Sequence, residues 1–120
     1  VTGFGLLGHL HIALRESGVS AELNAYKVPY LDGTKELARA GMIPSGTRSN
    51  HEFVSPNVDW GRLEETEQLM LADAQTSGGL LISVPERRAD RLAEALTERR
   101  VPSWAIGRVT DGPAGRITLV

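Results

Sequence analysis

A chain of 120 residues can bury one hydrophobic core but not two, so a single domain spanning 1–120 is expected. A formal charge of −2 with both signs interspersed excludes a basic footprint for nucleic acid, and no apolar run is long enough to span a bilayer or resemble a signal peptide. The absence of cysteine rules out a disulfide, a thiolate metal site or a cysteine nucleophile within this stretch, in keeping with a cytoplasmic protein.

The chain opens on Val1, not methionine, which predicts a fragment or a processed chain. Thr2-Gly3-Phe4-Gly5-Leu6-Leu7-Gly8-His9 then sets three glycines, a hydroxyl and a histidine at the mouth of a helix. A helix N-terminus presents unpaired N–H groups and a partial positive charge, and glycines let backbone approach closely, so an anion such as phosphate fits there. The competing reading is close packing of this helix against a sheet. Leu6, Leu10, Ala13 and Leu14 recur at helical spacing, His9, His11, Arg15 and Glu16 fall on other faces, and Gly18 supplies the C-cap.

Residues 19–26 alternate as a half-buried strand until Pro29, which has no N–H to give. Asp32-Gly33-Thr34 opens a short helix with Leu37, Ala38 and Met42 facing inward, ended by Gly41. Residues 44–50 are the most loop-like part of the chain, followed by a weakly patterned stretch to about Gly61. Residues 63–73 read as a helix running into Asp73-Ala74-Gln75-Thr76-Ser77-Gly78-Gly79. The apolar run 80–84 predicts a central strand, closed by Pro85. Residues 86–100 predict a helix with Ala89, Leu92, Ala93 and Leu96 as its buried stripe and Arg87, Arg88 and Arg91 in solvent. Residues 104–109 and 116–120 bracket Asp111-Gly112-Pro113-Ala114-Gly115 as a terminal hairpin. This order lacks strict βαβ alternation and predicts an α+β fold, a mixed β-sheet covered by helices.

Gly3-Phe4-Gly5-Leu6-Leu7-Gly8 matches G-x-G-x-x-G, with Glu22 near the place of a ribose-binding acid. The dinucleotide reading needs a strand before the first glycine and later βαβ units, and the chain shows neither. Gly46-Thr47-Arg48-Ser49-Asn50 crowds hydroxyls, an amide and a guanidinium into five residues, suited to phosphate or to ordinary turn chemistry. Residues 73–79 repeat the theme with a carboxylate, an amide, two hydroxyls and two glycines. Three such loops in one small domain exceed what turns alone require. His9 and His11 point to different faces of one helix and His51 lies elsewhere, so they predict no shared metal site.

Taken together, these loops resemble the selenophosphate synthetases, also called selenide, water dikinases. Val1 to Leu10 is similar to the family's Asp-Val-Thr-Gly-Phe-Gly-Leu-Leu-Gly-His, entered one residue late. Gly46-Thr47-Arg48-Ser49-Asn50 resembles its Gly-Gly-Thr-x-x-Asn, and Asp73 to Leu80 its Asp-Pro-Gln-Thr-Ser-Gly-Gly-Leu. Ser45 stands where the family usually has glycine and Ala74 where it usually has proline. The resemblance implies the C-terminal domain of a two-domain enzyme of the aminoimidazole ribonucleotide synthetase-related superfamily. Its reaction turns selenide, ATP and water into selenophosphate, AMP and phosphate with magnesium. ATP, magnesium and the homodimer contact are then expected mainly on the chain's own N-terminal domain, with the catalytic cysteine or selenocysteine and the essential lysine. No catalytic or metal-ligating residue is expected here, and the isolated stretch is expected to be inactive. Thr2, Gly3, Gly5, His9, Thr47, Asn50, Gln75, Thr76, Ser77, Gly78 and Gly79 are expected to face the phosphates or the selenium substrate. The alternative is a non-catalytic interaction or dimerisation module.

Overall fold

The computed structural model describes all 120 residues. The fold is α+β, as expected: helix α1 (Gly5–Ser17), strand β1 (Ser20–Leu23), helices α2 (Thr34–Arg39) and α3 (Ser45–Val54), strand β2 (Val58–Asp59), helices α4 (Glu65–Leu71) and α5 (Ala89–Glu98), and strands β3 (Gly107–Thr110) and β4 (Ile117–Leu119). The strands form one mixed four-stranded sheet in the order β2-β4-β1-β3. β1 runs antiparallel to β3 and parallel to β4, and β4 runs parallel to β2.

Period-2 alternation sends Ala21 and Leu23 of β1, Val58 of β2, and Ile117 and Leu119 of β4 into one core with Leu7 and Leu14 of α1, Val54 of α3 and Leu71 of α4. The opposite face is polar: Glu22 sits opposite Arg108 in register, and the two form an exposed ion pair. α1 ends at Gly18, whose left-handed backbone (φ 69°) lets its N–H reach the Arg15 and Leu14 carbonyls. The buried stripe of α1 is rotated from the expected one. Leu7, His11 and Leu14 point inward, Leu6 and Leu10 are half-buried and Ala13 is exposed. His11 is tolerated there because its Nδ1–H donates to the Gly115 carbonyl at 2.9 Å and its ring meets Phe53 edge-on.

Several other expectations are corrected. The expected strand 19–26 stops at Leu23, and Asn24 caps a single 3-10 turn over Ala25–Lys27. In α2 only Ala38 is buried, while Leu37 and Met42 are exposed. Residues 44–50, read as loop, begin α3; the inward face of its first turns is Thr47 and Asn50, with Val54 its one buried apolar residue, so hydrophobic spacing did not reveal it. β2 is two residues long, too short to show a period. The terminal hairpin does not form, because β1 inserts between β3 and β4. Their connection is held across the start of β1 by Ser20 Oγ donating to Pro113 O at 2.7 Å and Gly115 N–H donating to Val19 O at 2.9 Å.

The largest departure concerns residues 80–101. The run 80–84 has strand-like composition but no strand of this chain beside it, so its backbone joins no ladder. The helix after it is a 3-10 turn, Glu86–Arg88, followed by α5, and it buries no residue: Leu92 and Leu96 are half-covered, Ala89 and Ala93 exposed.

Candidate functional site

Helix α3 carries Thr47 and Asn50 one turn apart, so both project from its inner face toward the segment that follows α4. Thr47 Oγ1 donates to Asp73 Oδ1 at 2.6 Å and accepts the Ala74 N–H at 3.2 Å. Gln75 Nε2 donates to the other Asp73 oxygen, Oδ2, at 2.9 Å. Asn50 Nδ2 bridges the Gly3 carbonyl at 2.8 Å and the Ala72 carbonyl at 3.1 Å, tying the opening loop to the end of α4.

The opening loop is also fastened to residues 75–79. Gln75 N–H donates to Thr2 O at 3.1 Å, Gly78 N–H to Val1 O at 2.9 Å, and the Val1 amine to Gly79 O at 2.8 Å. Thr2 turns back onto α1, its N–H and its Oγ1 each 3.0 Å from His9 Nε2. Because a backbone N–H only donates, His9 Nε2 accepts, which puts the imidazole proton on Nδ1.

The three loops therefore form one surface. Thr2, Gly3, Thr76, Ser77, Gly78 and Gly79 lie on its open side, with His9 and Gln75 half-buried at its edge. Thr47, 1% exposed, and Asn50, 8%, lie beneath it. Their expected place on the substrate-facing side is corrected: Thr47 Oγ1 and Asn50 Nδ2 are engaged within the protein, and they hold the loops that face outward. Gly5 is likewise corrected. It is buried with φ 67°, and a Cβ there would lie 2.7 Å from the carbonyl oxygens of both Ala72 and Asp73, so the partner it admits is the backbone after α4. This is the packing alternative, with a loop in place of the sheet. Gly3 has nothing within 4 Å of its Cβ position and remains open.

Asp73 is the residue the sequence reading left unassigned. It was legible as the acid that opens the third loop, but only its position shows that both carboxylate oxygens serve as acceptors for the other side chains. Replacing Thr47 by valine keeps the volume and leaves Asp73 Oδ1 and the Ala74 N–H without their partner. The Thr47→Val protein is expected to lose about 1–3 kcal/mol of stability in a denaturant titration; an unchanged midpoint would show that the contact contributes nothing.

A groove of about 370 Å³ is lined by Tyr30, Leu31, Lys35, Leu63, Glu67 and Met70 among others, and by none of the expected site residues. Hydrogen bonding from Lys35 Nζ at 3.0 Å, then from the Glu64 backbone, holds the Glu67 carboxyl below its usual range. Partial burial, with the charges of Glu67 and Asp73 added, pushes the hydroxyl of Tyr30, a residue still 40% exposed, above the usual phenol value. No sequence signal marked Tyr30. The remaining histidine, His51, donates from Nε2 to Gln68 Oε1 at 2.9 Å and stacks on Trp60. No three His, Cys, Asp or Glu side chains come together to hold a metal ion.

A mixed sheet covered by α1, α3 and α4, with glycine-bearing loops gathered at the start of α1, defines the class. The chain belongs to the family described as AIR synthase related protein, C-terminal domain, which matches residues 1–120. Among curated proteins it is similar to "Selenide, water dikinase" of Carboxydothermus hydrogenoformans, 39% identical over 120 residues, covering 99% of this chain and 34% of that protein. It is also similar to "Selenide, water dikinase" of Myxococcus xanthus, 41% identical over 116 residues, covering 96% of this chain and 33% of the relative. "Selenide, water dikinase 2" of Peptoclostridium acidaminophilum is 40% identical over 121 residues, covering 100% and 35%. The chain spans about a third of the length of these relatives. No helix is long and apolar enough to cross a membrane.

Proposed function

We propose that this chain is the C-terminal domain of an ATP-dependent synthetase that makes selenophosphate from selenide, ATP and water, releasing AMP and phosphate. The observation that carries the reading is the convergence of three loops, distant in sequence, on Asp73 and the start of α1. Phosphoryl transfer requires positioned donors more than covalent chemistry from the protein, since the developing charge is on oxygen. The hydroxyls of Thr76 and Ser77 and the backbone at Gly3 and Gly79 supply such donors, while Thr2 Oγ1 and the Gly78 N–H are already bonded to His9 and Val1 and position this surface. Asp73, Thr47, Asn50 and Gln75 hold them in place, and His9 fixes Thr2.

On this reading the partner of the surface is the chain's own N-terminal domain, which carries most of the ATP site and the homodimer contact, in a cytoplasmic enzyme. Magnesium is bound mainly by that N-terminal domain, since no three His, Asp or Glu side chains of this chain gather to hold the ion by themselves.

Selenide-dependent AMP formation by the full-length protein tests the activity itself; its absence overturns the proposal. Asp73→Asn keeps the shape but turns one of the two acceptor oxygens into an N–H donor, setting it against Thr47 or Gln75, and misplacement of the loops is expected to lower turnover roughly 100-fold. An altered sedimentation mass with full turnover would instead make the surface an interaction module.

A further inference from the structure

Four of the five side chains in residues 80–84 are apolar, yet the backbone pairs with no strand of this chain. Leu80 is 89% exposed and Ile82 50%. The accessible surface of the chain, 8167 Å², exceeds the roughly 6,300 Å² of a compact protein of 13.0 kDa, so apolar surface suited to burial is left outside.

The root of this run shows what covers it. Val1 donates to the Gly79 carbonyl and accepts from the Gly78 N–H, at 2.8 and 2.9 Å. Hydrogen bonds in both senses, with two residues opposite one, make an antiparallel pairing with a bulge at Gly78-Gly79. Gly78 suits the bulge, since a Cβ there would stand 2.8 Å from the Val1 carbonyl oxygen. Followed outward, one side of this pairing continues into Leu80 and the other into whatever precedes Val1. The donor at Val1 is an amine here, and a peptide N–H in a longer chain offers the same hydrogen.

We propose that the residues immediately preceding Val1 in the full-length protein form a strand that pairs antiparallel with residues 80–84. The bulge fixes the register: Leu81 faces the second residue before Val1 and Ser83 the fourth, each pair exchanging both hydrogen bonds, while the N–H groups of Leu80 and Ile82 point to the other edge. The occupant is this chain's own upstream segment because the pairing has already begun with it, in register, at Val1. This inference does not depend on which reaction the protein catalyses.

Hydrogen exchange followed by NMR on the full-length protein is expected to show the Leu81 and Ser83 amides slowed by on the order of 100-fold or more relative to unstructured peptide. A cysteine at the second residue before Val1, combined with Leu81→Cys, should form an intrachain disulfide on mild oxidation, since such pairs hold their Cα atoms about 5.5 Å apart. A cysteine at the third residue before Val1, on the opposite face, should not. Free exchange at Leu81 and Ser83 overturns the proposal. So does a disulfide that links two chains, which would assign the run to a second copy.

Discussion

Gly5→Val is expected to destabilise the protein by roughly 2–6 kcal/mol. A branched residue at φ 67° is strained by about 1–3 kcal/mol, and its Cβ would have to displace the Ala72 and Asp73 carbonyls, 2.7 Å away, for about 1–3 kcal/mol more. Against a typical total of about 5–15 kcal/mol, that is a large fraction. Those carbonyls belong to backbone, which cannot rotate aside as a flexible side chain can. Gly3→Ala is the control, since nothing lies within 4 Å of its Cβ position, and it should change stability by no more than about 0.5 kcal/mol. Thermal unfolding of the two variants checks the contrast. A Gly5→Val protein that melts normally but has lost turnover would return Gly5 to the substrate surface.

Leu7→Ala is expected to cost about 2–5 kcal/mol and to lower the melting temperature by roughly 10 °C or more. Leu7 is fully buried between α1 and the sheet, in the same cluster as Leu71, Val54 and Ile117. Helices and strand close around it from several sides, so the cavity has little room to collapse. Leu10, half-buried one turn along, should lose clearly less when truncated to alanine. Equal losses at the two positions would mean that the stripe runs as the spacing of apolar residues alone suggests.

The rotation of that stripe shows what sequence pattern carries and what it does not. Hydrophobic spacing located α1 and its Gly18 cap, but it counted His11 as polar. Whether a histidine lies inside depends on an acceptor 104 positions away, the Gly115 carbonyl. The same limit hid α3, whose inner face is Thr47 and Asn50, buried because each is hydrogen-bonded to the segment after α4 or to the opening loop. The terminal hairpin was a sound local reading of Asp111-Gly112, but pairing on either side of β1 is a long-range choice that turn residues do not encode. Residues 80–84 were legible as a strand by composition, and their partner is what this chain's sequence could not show. In the candidate site the three loops were legible as motifs. The separation of outward donors such as Thr76 and Ser77 from inward latches such as Thr47 was not, because it depends on which atoms are already bonded.

The position of β4 bears on how the protein is made. Residues 117–119 are synthesised after every other strand and helix of this domain, yet they lie between β2 and β1 and alone connect them. During translation β1 can pair with β3 beforehand, but β2 has no strand to join until Leu119 has left the ribosome, although α1, α3 and α4 have already emerged. Throughout that interval the apolar faces of these helices are without the complete layer that covers them, and chaperones have most to protect then. A stall or a premature stop shortly before Ile117 would release a chain with its helices complete but β2 unpaired and its sheet reduced to β1 and β3, a product suited to degradation rather than to slow rescue.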